Sequence, residues 1–459
     1  MVESFDPCAL WKALCGAVTR IMFAASLLVG VLMTAFALVH VHVPDAYMDE
    51  VFHVPQTVEY CQGRFDAWDD MITTPPGLYL LAVGVYKPVE WLMGYSVCSV
   101  MALRLVNLVG ALVLFVVCMA INTRIHGHYT TWMAASVVLL PFLFMQHVLY
   151  YTDTWSTCLV LMAYLAALDQ RYWMSAWIAW VSCWFRQTNV VWMLFVAAVS
   201  LDRAWKGTVL QQRAIDVSIL DYVWACIHTI QTRWRDSLDM LIPYVLVLLS
   251  FVGFVVWNGG IVLGDRTNHV AVLHIPQLYY FTTTLMVLTW LTSPVEQLQQ
   301  TRTTWRWLWS HKLVAIVMTI CIGITVHLYT YEHRYLLADN RHLTFYVWRR
   351  IVKRHWIVPY ALTPVYALSA THIVRSLART KTLLFCVAYG AATALVLVPA
   401  ALLEPRYFIL PYVMYRLQTP QRSLVEPAVF TVVNGWMLWM FVFRWFLWPN
   451  SSQRQRLMW

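Results

Sequence analysis

IMFAASLLVGVLMTAFALV, residues 21–39, carries no charged side chain, and a run of about 20 apolar residues is what an α-helix needs to cross a bilayer. It follows Lys12 and Arg20 and shows no small-residue cleavage site, so it reads as an uncleaved first span. Close behind it, at residues 47–77, comes a polar island, YMDEVFHVPQTVEYCQGRFDAWDDMITTPPG. Counting Asp45 just ahead of it, seven of the chain's 23 acidic residues gather there (with Asp49, Glu50, Glu59, Asp66, Asp69 and Asp70), against the single base Arg64. An ordinary connector does not concentrate acid in this way, so the island is read as the floor of a functional site.

The rest of the 459 residues repeats the apolar theme. The chain is 60% hydrophobic and 12% charged, with 25 Trp and 24 Tyr, and its mean hydropathy is +0.60. That composition excludes a soluble domain and predicts an all-α, polytopic membrane protein, because backbone in hydrocarbon must bond within its own helix. The aromatic excess suits interfacial belts. A net charge of +9 is spread over short loops, so it predicts cytosolic loop bias and contact with the lipid bilayer, not nucleic-acid binding. The ten Cys show neither CxxC nor zinc spacing, so no disulfide framework and no metal site is argued.

With Lys12 and Arg20 cytosolic, the first span delivers the island to the lumen. Tracing the apolar runs gives one domain, 1–459, with about 12 transmembrane helices, both termini cytosolic, and luminal loops at about 41–100, 258–277 and 332–355. Gly77–Tyr95 reads as an interface-lying helix pair, EPRYFILPY (404–412) as a luminal interface element, and the sequon at Asn450 as an unglycosylated site in a cytosolic tail. Two short runs, Tyr172–Trp184 and Val190–Leu201, flank FRQTN. They read as a broken helix with Arg186 facing a polar cavity, since interrupted helices at membrane depth line such spaces. Residues 332–355 hold Arg334, Arg341, Arg349, Arg350, Lys353 and Arg354. Either this is a luminal cationic patch that receives an anion, or the parity differs and part of it is cytosolic.

No Walker motif, zinc signature or dinucleotide fingerprint is present. Luminal acids with luminal arginines suit sugar transfer from a lipid phosphate, with a carboxylate taking the proton of the attacking hydroxyl and arginines holding the departing phosphate. A transporter or flippase would also use broken helices and buried charge, although no internal repeat is visible.

The blocks YMDEVFHVPQ, MITTPPGLYL, LRLVN, YYTD, FRQTN with Trp192, WNGGIVLGDRTNH, LHIPQLYYF, LLADNRHLTFYVW and EPRYFILPY closely resemble, in this order, a family of endoplasmic-reticulum α-1,2-glucosyltransferases. That family adds the third, terminal glucose to the dolichyl-pyrophosphate-linked N-glycan precursor. The resemblance implies a GT-C fold in the reticulum membrane, a luminal site, dolichyl phosphate glucose as donor, a dolichyl-pyrophosphate-linked oligosaccharide as acceptor, and inversion in one displacement. It implies no cofactor and no required metal. Asp49 is then the base, with Glu50 as alternate, and Arg186, Arg266, Arg341 and Arg406 are candidates for the donor phosphate. His53, Asp153, Gln187, Asn189, Asp265, His269, Asp339, Asn340 and His342 are candidates for holding the substrates. A mannosyl donor in the same class remains the alternative.

Overall fold

The computed structural model describes residues 7–127, 131–205, 209–267, 270–291, 293–419, 424–449 and 453–459. His269 and the sequon at Asn450 lie outside them. Helix α1 (Pro7–His42) is 36 residues long, longer at 1.5 Å per residue than a hydrocarbon core is thick. Its two tips therefore mark two ends of the molecule, a near end at His42 and a far end at Pro7.

At the near end lie α2 (Glu50–Cys61) and α3 (Gly77–Met93). Helix α3 is one helix stopped by Gly94 at φ 75°, where the expectation was a pair. Helix α4 (Val100–His126) runs to the far end, where His126 meets the Leu417 carbonyl at 3.0 Å. Helices α5 (Thr131–Val138) and α6 (Pro141–Val148) return, bent by 69° at the break before Pro141, as expected where proline removes a donor. Then α7 (Asp153–Leu168) leaves the near end, α8 (Tyr172–Cys183) comes back, and α9 (Asn189–Ala204) leaves again. The break between α8 and α9 is the one read from FRQTN.

Helix α10 (Ile219–Thr232) lies at the far end, with Ile219, Leu220 and Trp224 exposed on an apolar face suited to an interface. Helix α11 (Trp234–Asn258) returns, α12 (Pro276–Trp290) leaves, α13 (Pro294–Ser310) stays at the far end, and α14 (Lys312–Tyr329) returns. Short helices α15 (Arg334–Ala338), α16 (Leu343–Val347) and α17 (Val358–Ala361) follow, then α18 (Thr363–Ala378) and α19 (Leu383–Leu397). A single turn, Pro405–Phe408, leads into α20 (Ile409–Arg416), and α21 (Val425–Phe443) ends beside β1 (Phe446–Leu447), which pairs antiparallel with β2 (Arg454–Gln455).

The protein is thus all-α and polytopic. Among the described residues, five helices are individually long and apolar enough to cross a bilayer, six with the bent pair. Among the shorter helices, α7 and α9 are largely buried by their neighbours. Trp192, 1% exposed, sits in the main core with Tyr164, Phe195 and Tyr389, while Trp177, Val256, Trp257 and Leu328 point outward, as a bilayer requires.

Expectations fail at two places in the chain. Arg456 donates to the His42 carbonyl at 3.0 Å, so the C-terminal segment lies at the near end and the start of α1 at the far one; these two do not share a side. The reason is α20. EPRYFILPY does not rest on an interface but leads inward into this eight-residue helix, whose residues are buried and whose tip reaches the far end at Leu417. Second, Cys61 and Cys98 form a disulfide that ties the end of α2 to the start of α4. Glu90 lies beside them, but the sulfurs are bonded to each other and offer no metal a ligand pair.

Candidate active site

The floor of the site is set by one turn. Met48 adopts φ 57°, a left-handed conformation costing a non-glycine residue on the order of 1–3 kcal/mol. Following it, neighbouring carboxylates go opposite ways. Glu50 turns inward and is fully buried against Arg104, itself fully buried. Its oxygens accept from Arg104 Nε at 2.8 Å and Nη2 at 2.6 Å, and from the backbone N–H groups of Tyr150 at 2.7 Å and Tyr47 at 3.1 Å. Arg104 donates further to the Val43 and Asp45 carbonyls. With every lone-pair direction occupied and no access to solvent, Glu50 has no capacity to act as a base. It fastens the first loop to α4.

Asp49 turns outward into a cleft of about 1160 Å³. Its Oδ2 accepts from Arg406 Nη1 at 2.7 Å, and its N–H donates to the Tyr151 hydroxyl at 3.2 Å. Arg406 is also held by both oxygens of Glu404. Burial alone would push the Asp49 carboxyl up, but the Arg406 guanidinium, helped by His53 and His342, outweighs it and holds the group down to about 2. On the next turn of α2, His53 faces the cleft and shares a 2.6 Å hydrogen bond with the Tyr79 hydroxyl. Burial pulls its imidazole down to about 4 against the opposing pull of Asp49, so it is neutral at pH 7.

The second cation comes from the break between α8 and α9. Arg186 lines the cleft and donates to Asp153 Oδ2 at 2.9 Å and Thr152 Oγ1 at 3.3 Å. Gln187 beside it donates to the Thr73 carbonyl at 2.7 Å. Backbone contact holds this corner together: Gly77 N–H donates to the Trp184 carbonyl at 2.8 Å, and a Cβ on Gly77 would stand 2.5 Å from that same oxygen. Gly264 packs equally closely on the Asp70 and Ile72 carbonyls, which brings Asp265 to the rim.

A third wall is the loop Asp339–His342. Asp339 accepts from Arg341 Nε at 2.8 Å and Nη2 at 2.6 Å. Burial raises its carboxyl, and the Arg341 hydrogen bonds bring it below the ordinary value. Asp339, Arg341 and His342 line the cleft. Most of the rest of the expected cationic patch is spent locally: Arg334, Arg349 and Arg350 stack on Tyr335, Phe345 and Tyr346, and Lys353 pairs with Glu332 at 2.5 Å.

Of the candidates, then, Asp49, His53, Arg186, Gln187, Asp265, Asp339, Arg341, His342 and Arg406 share one cleft, with Asp153 behind Arg186. Besides the buried Glu50, three do not. Arg266 donates to the Asn258 carbonyl and side chain and to the Val262 carbonyl, closing the end of α11. Asn189 is buried on Ser156 and the Ser182 carbonyl, pinning α9 to α7 and α8. Asn340 turns to Trp448, accepting from its indole N–H at 2.8 Å. Sequence reasoning missed Arg104 and Glu404, although both stand in quoted blocks, LRLVN and EPRYFILPY. It also missed the C-terminal residues of the cleft, Trp448 and Gln453 to Arg456.

A carboxylate and two arginines, each reached from a different helix break and facing one polar space, can accept a proton and bind an anion side by side. Relatives align with this sequence almost end to end. A family model described as the DIE2/ALG10 family matches residues 43–417. A Mus musculus protein named Dol-P-Glc:Glc(2)Man(9)GlcNAc(2)-PP-Dol alpha-1,2-glucosyltransferase is 38% identical over 451 residues, covering 90% of this chain and 93% of its own length. A Homo sapiens protein of that name is 38% identical over 447 residues (90% and 93%), and an Arabidopsis thaliana one is 34% identical over 488 residues (91% and 95%). No solved structure matches. Such coverage, spanning all three walls of the cleft, establishes that the chain belongs to the DIE2/ALG10 family.

Proposed function

We propose that this protein transfers glucose from dolichyl phosphate glucose to the diglucosylated, dolichyl-pyrophosphate-linked oligosaccharide, forming a terminal α-1,2 linkage for protein N-glycosylation. Asp49 is the general base and Arg406 and Arg186 hold the donor phosphate. The acceptor hydroxyl gives its proton to Asp49 as its oxygen bonds to the glucosyl anomeric carbon. On the opposite face the carbon–oxygen bond to phosphate breaks, and the electron pair leaves with the lipid phosphate. One displacement converts a β-linked donor into an α-linked product.

The observation that carries this reading is the Asp49–Arg406 ion pair at the open floor of the cleft. At rest, Arg406 is shared by Glu404 and Asp49, which keeps the base weak. A phosphate seated against Arg406 competes for its donors, and each share of the guanidinium that Asp49 loses strengthens it as a base. Chemistry at Asp49 is thereby tied to donor binding.

The disulfide bears on the compartment. Cys61–Cys98 lies at the near end, close to the cleft, and disulfides persist in oxidising compartments. This supports a near end facing the reticulum lumen, with Lys12 and Arg20 on the cytosolic side as the charge rule prefers and the C-terminal segment luminal. The GT-C assignment rests on the same arrangement of luminal loops over a helical bundle.

Purified protein given synthetic dolichyl phosphate glucose and the diglucosylated acceptor should add one glucose, in an α-1,2 linkage. Transfer from dolichyl phosphate mannose and none from the glucosyl donor would overturn the donor assignment; no covalent product from either would overturn the enzyme class.

A further inference from the structure

The segment after α21 is built into the site. Arg456 is 5% exposed and spends its guanidinium on helix ends, Nη1 on the Phe441 and Val442 carbonyls of α21 and Nη2 on the His42 carbonyl of α1. Its backbone N–H donates to the Tyr47 hydroxyl at 2.7 Å, and its carbonyl accepts from that hydroxyl at 2.9 Å, two residues before Asp49. Met458 then bonds the third wall, its N–H donating to the Arg341 carbonyl at 2.8 Å and its carbonyl accepting from Leu343 N–H at 2.9 Å. Trp448 completes the attachment, with its N–H on Asn340 and the Arg341 guanidinium 4.9 Å above its ring.

One group on this wall lacks a partner. Gln455 lines the cleft and is 4% exposed. Its Nε2 donates to the Gln453 carbonyl at 3.2 Å, and its Oε1 is buried with no hydrogen bond among the described residues. Buried amide oxygens are rarely left so, and on a residue that lines a large polar cleft such an oxygen calls for a donor from a ligand. The described residues of this wall that line the cleft offer an indole, planar amides and two guanidiniums, Arg454 and the already bonded Arg456, and no side-chain carboxylate. That is the lining that takes sugar hydroxyls, a few placed polar groups on an aromatic frame. The phosphate-holding arginines stand elsewhere, at the α8–α9 break and the entry to α20.

We propose that Trp448, Gln455 and Arg456 form the acceptor-sugar wall of the cleft, Gln455 accepting a hydrogen bond from an acceptor hydroxyl while Trp448 and Met458 hold the Asp339–His342 loop in register. This rests on the glucosyltransferase reading above. It lies beyond residue 417, where the family match stops, so it stands on this chain's own geometry.

The test uses full-length protein, dolichyl phosphate glucose and the diglucosylated lipid-linked acceptor, with KM measured for each substrate. Gln455→Leu should raise the acceptor KM about three- to tenfold, the worth of one neutral hydrogen bond, leaving donor KM and kcat near wild type. Gln455→Glu, which keeps an accepting oxygen, should restore most of it. Trp448→Phe, which keeps the ring and loses the N–H, should also act on acceptor KM. An unchanged acceptor KM in Gln455→Leu, a rise in donor KM instead, or an equal loss in kcat and both KM values overturns the inference and leaves the glucosyltransferase reading standing. A wild-type chain that transfers no glucose overturns that reading, and this inference with it.

Discussion

The segment Pro405–Arg416 begins and ends near an arginine, and the two are treated in opposite ways. At the far end Arg416 and Glu426 are both fully buried. Arg416 bonds both Glu426 oxygens and the Thr419 carbonyl and hydroxyl, and Glu426 also accepts from Tyr412 at 2.7 Å. At the near end Arg406 meets two carboxylates, Glu404 and Asp49, and keeps 25% of its side chain exposed to the cleft. The pairs have the same chemistry. What differs is whether the shell is closed: nothing can reach Arg416, whereas an arriving anion can replace a carboxylate on Arg406. The neighbours Glu50 and Asp49 repeat the contrast within one turn of chain.

The open end breaks by chemistry. Asp49→Asn should lower kcat by about 10²–10⁴, the usual worth of a general base, with little change in thermal unfolding because the side chain is partly exposed and makes one ion pair. Glucose transfer by purified variant in detergent or liposomes checks it, and a wild-type rate would remove Asp49 from the mechanism. The closed end should break by stability. Arg416→Met leaves Glu426 buried and unpaired, and removal of one partner from such a pair costs about 3–5 kcal/mol. Unfolding of the detergent-solubilised protein should report it, and adding Glu426→Leu should recover most of the loss. Arg406→Gln sits between the two: about 10²–10³ in rate, the worth of one lost donor to a developing anion, in a protein that still folds. If Arg406→Gln and Arg416→Met produced the same phenotype, the contrast would be empty.

How much of this was legible follows the same division between local and distant causes. The first span, the acid-rich loop and the FRQTN break announce themselves through hydropathy and acid density within one stretch of chain. The choice between Asp49 and Glu50 does not, because successive residues on a helix differ by about 100° of direction, and Arg104, from another helix, decides which one is buried. Helix α20 was unreadable as a pass through the bundle because it is short and starts after Pro405; it survives there because its neighbours bury it. The paired strands Phe446–Leu447 and Arg454–Gln455 have almost no local signal, and tertiary bonds from Tyr47, Asn340 and Arg341 fix their place. Arg266 and Asn189 carry the residue types of a binding site but serve helix ends and helix packing, uses that sequence alone does not separate from ligand binding.

The smallest effect tests the coupling itself. In the free protein the Asp49 carboxyl lies at about 2, burial raising it and Arg406 more than offsetting that. Since this folded value is below the ordinary 3.8, the pair's contribution to stability is complete above about pH 4 and is lost as pH falls toward 2. His53 runs the other way in cause but not in consequence. Its folded value of about 4 lies below the ordinary 6.5, so the unfolded chain takes up the proton first and stability falls as pH drops from 6.5 to 4. His53→Gln should flatten unfolding across that window. Activity then separates the two groups. The acid limb of kcat/KM for the donor reports the free enzyme and that of kcat reports the bound complex. If the donor phosphate draws Arg406 away from Asp49, the kcat limb assigned to Asp49 lies higher, by about one pH unit, equivalent to about 1.4 kcal/mol of lost pairing. Measured in the His53→Gln background, coincident limbs would mean that Arg406 stays on Asp49 throughout turnover, and that the open end is as fixed as the sealed one.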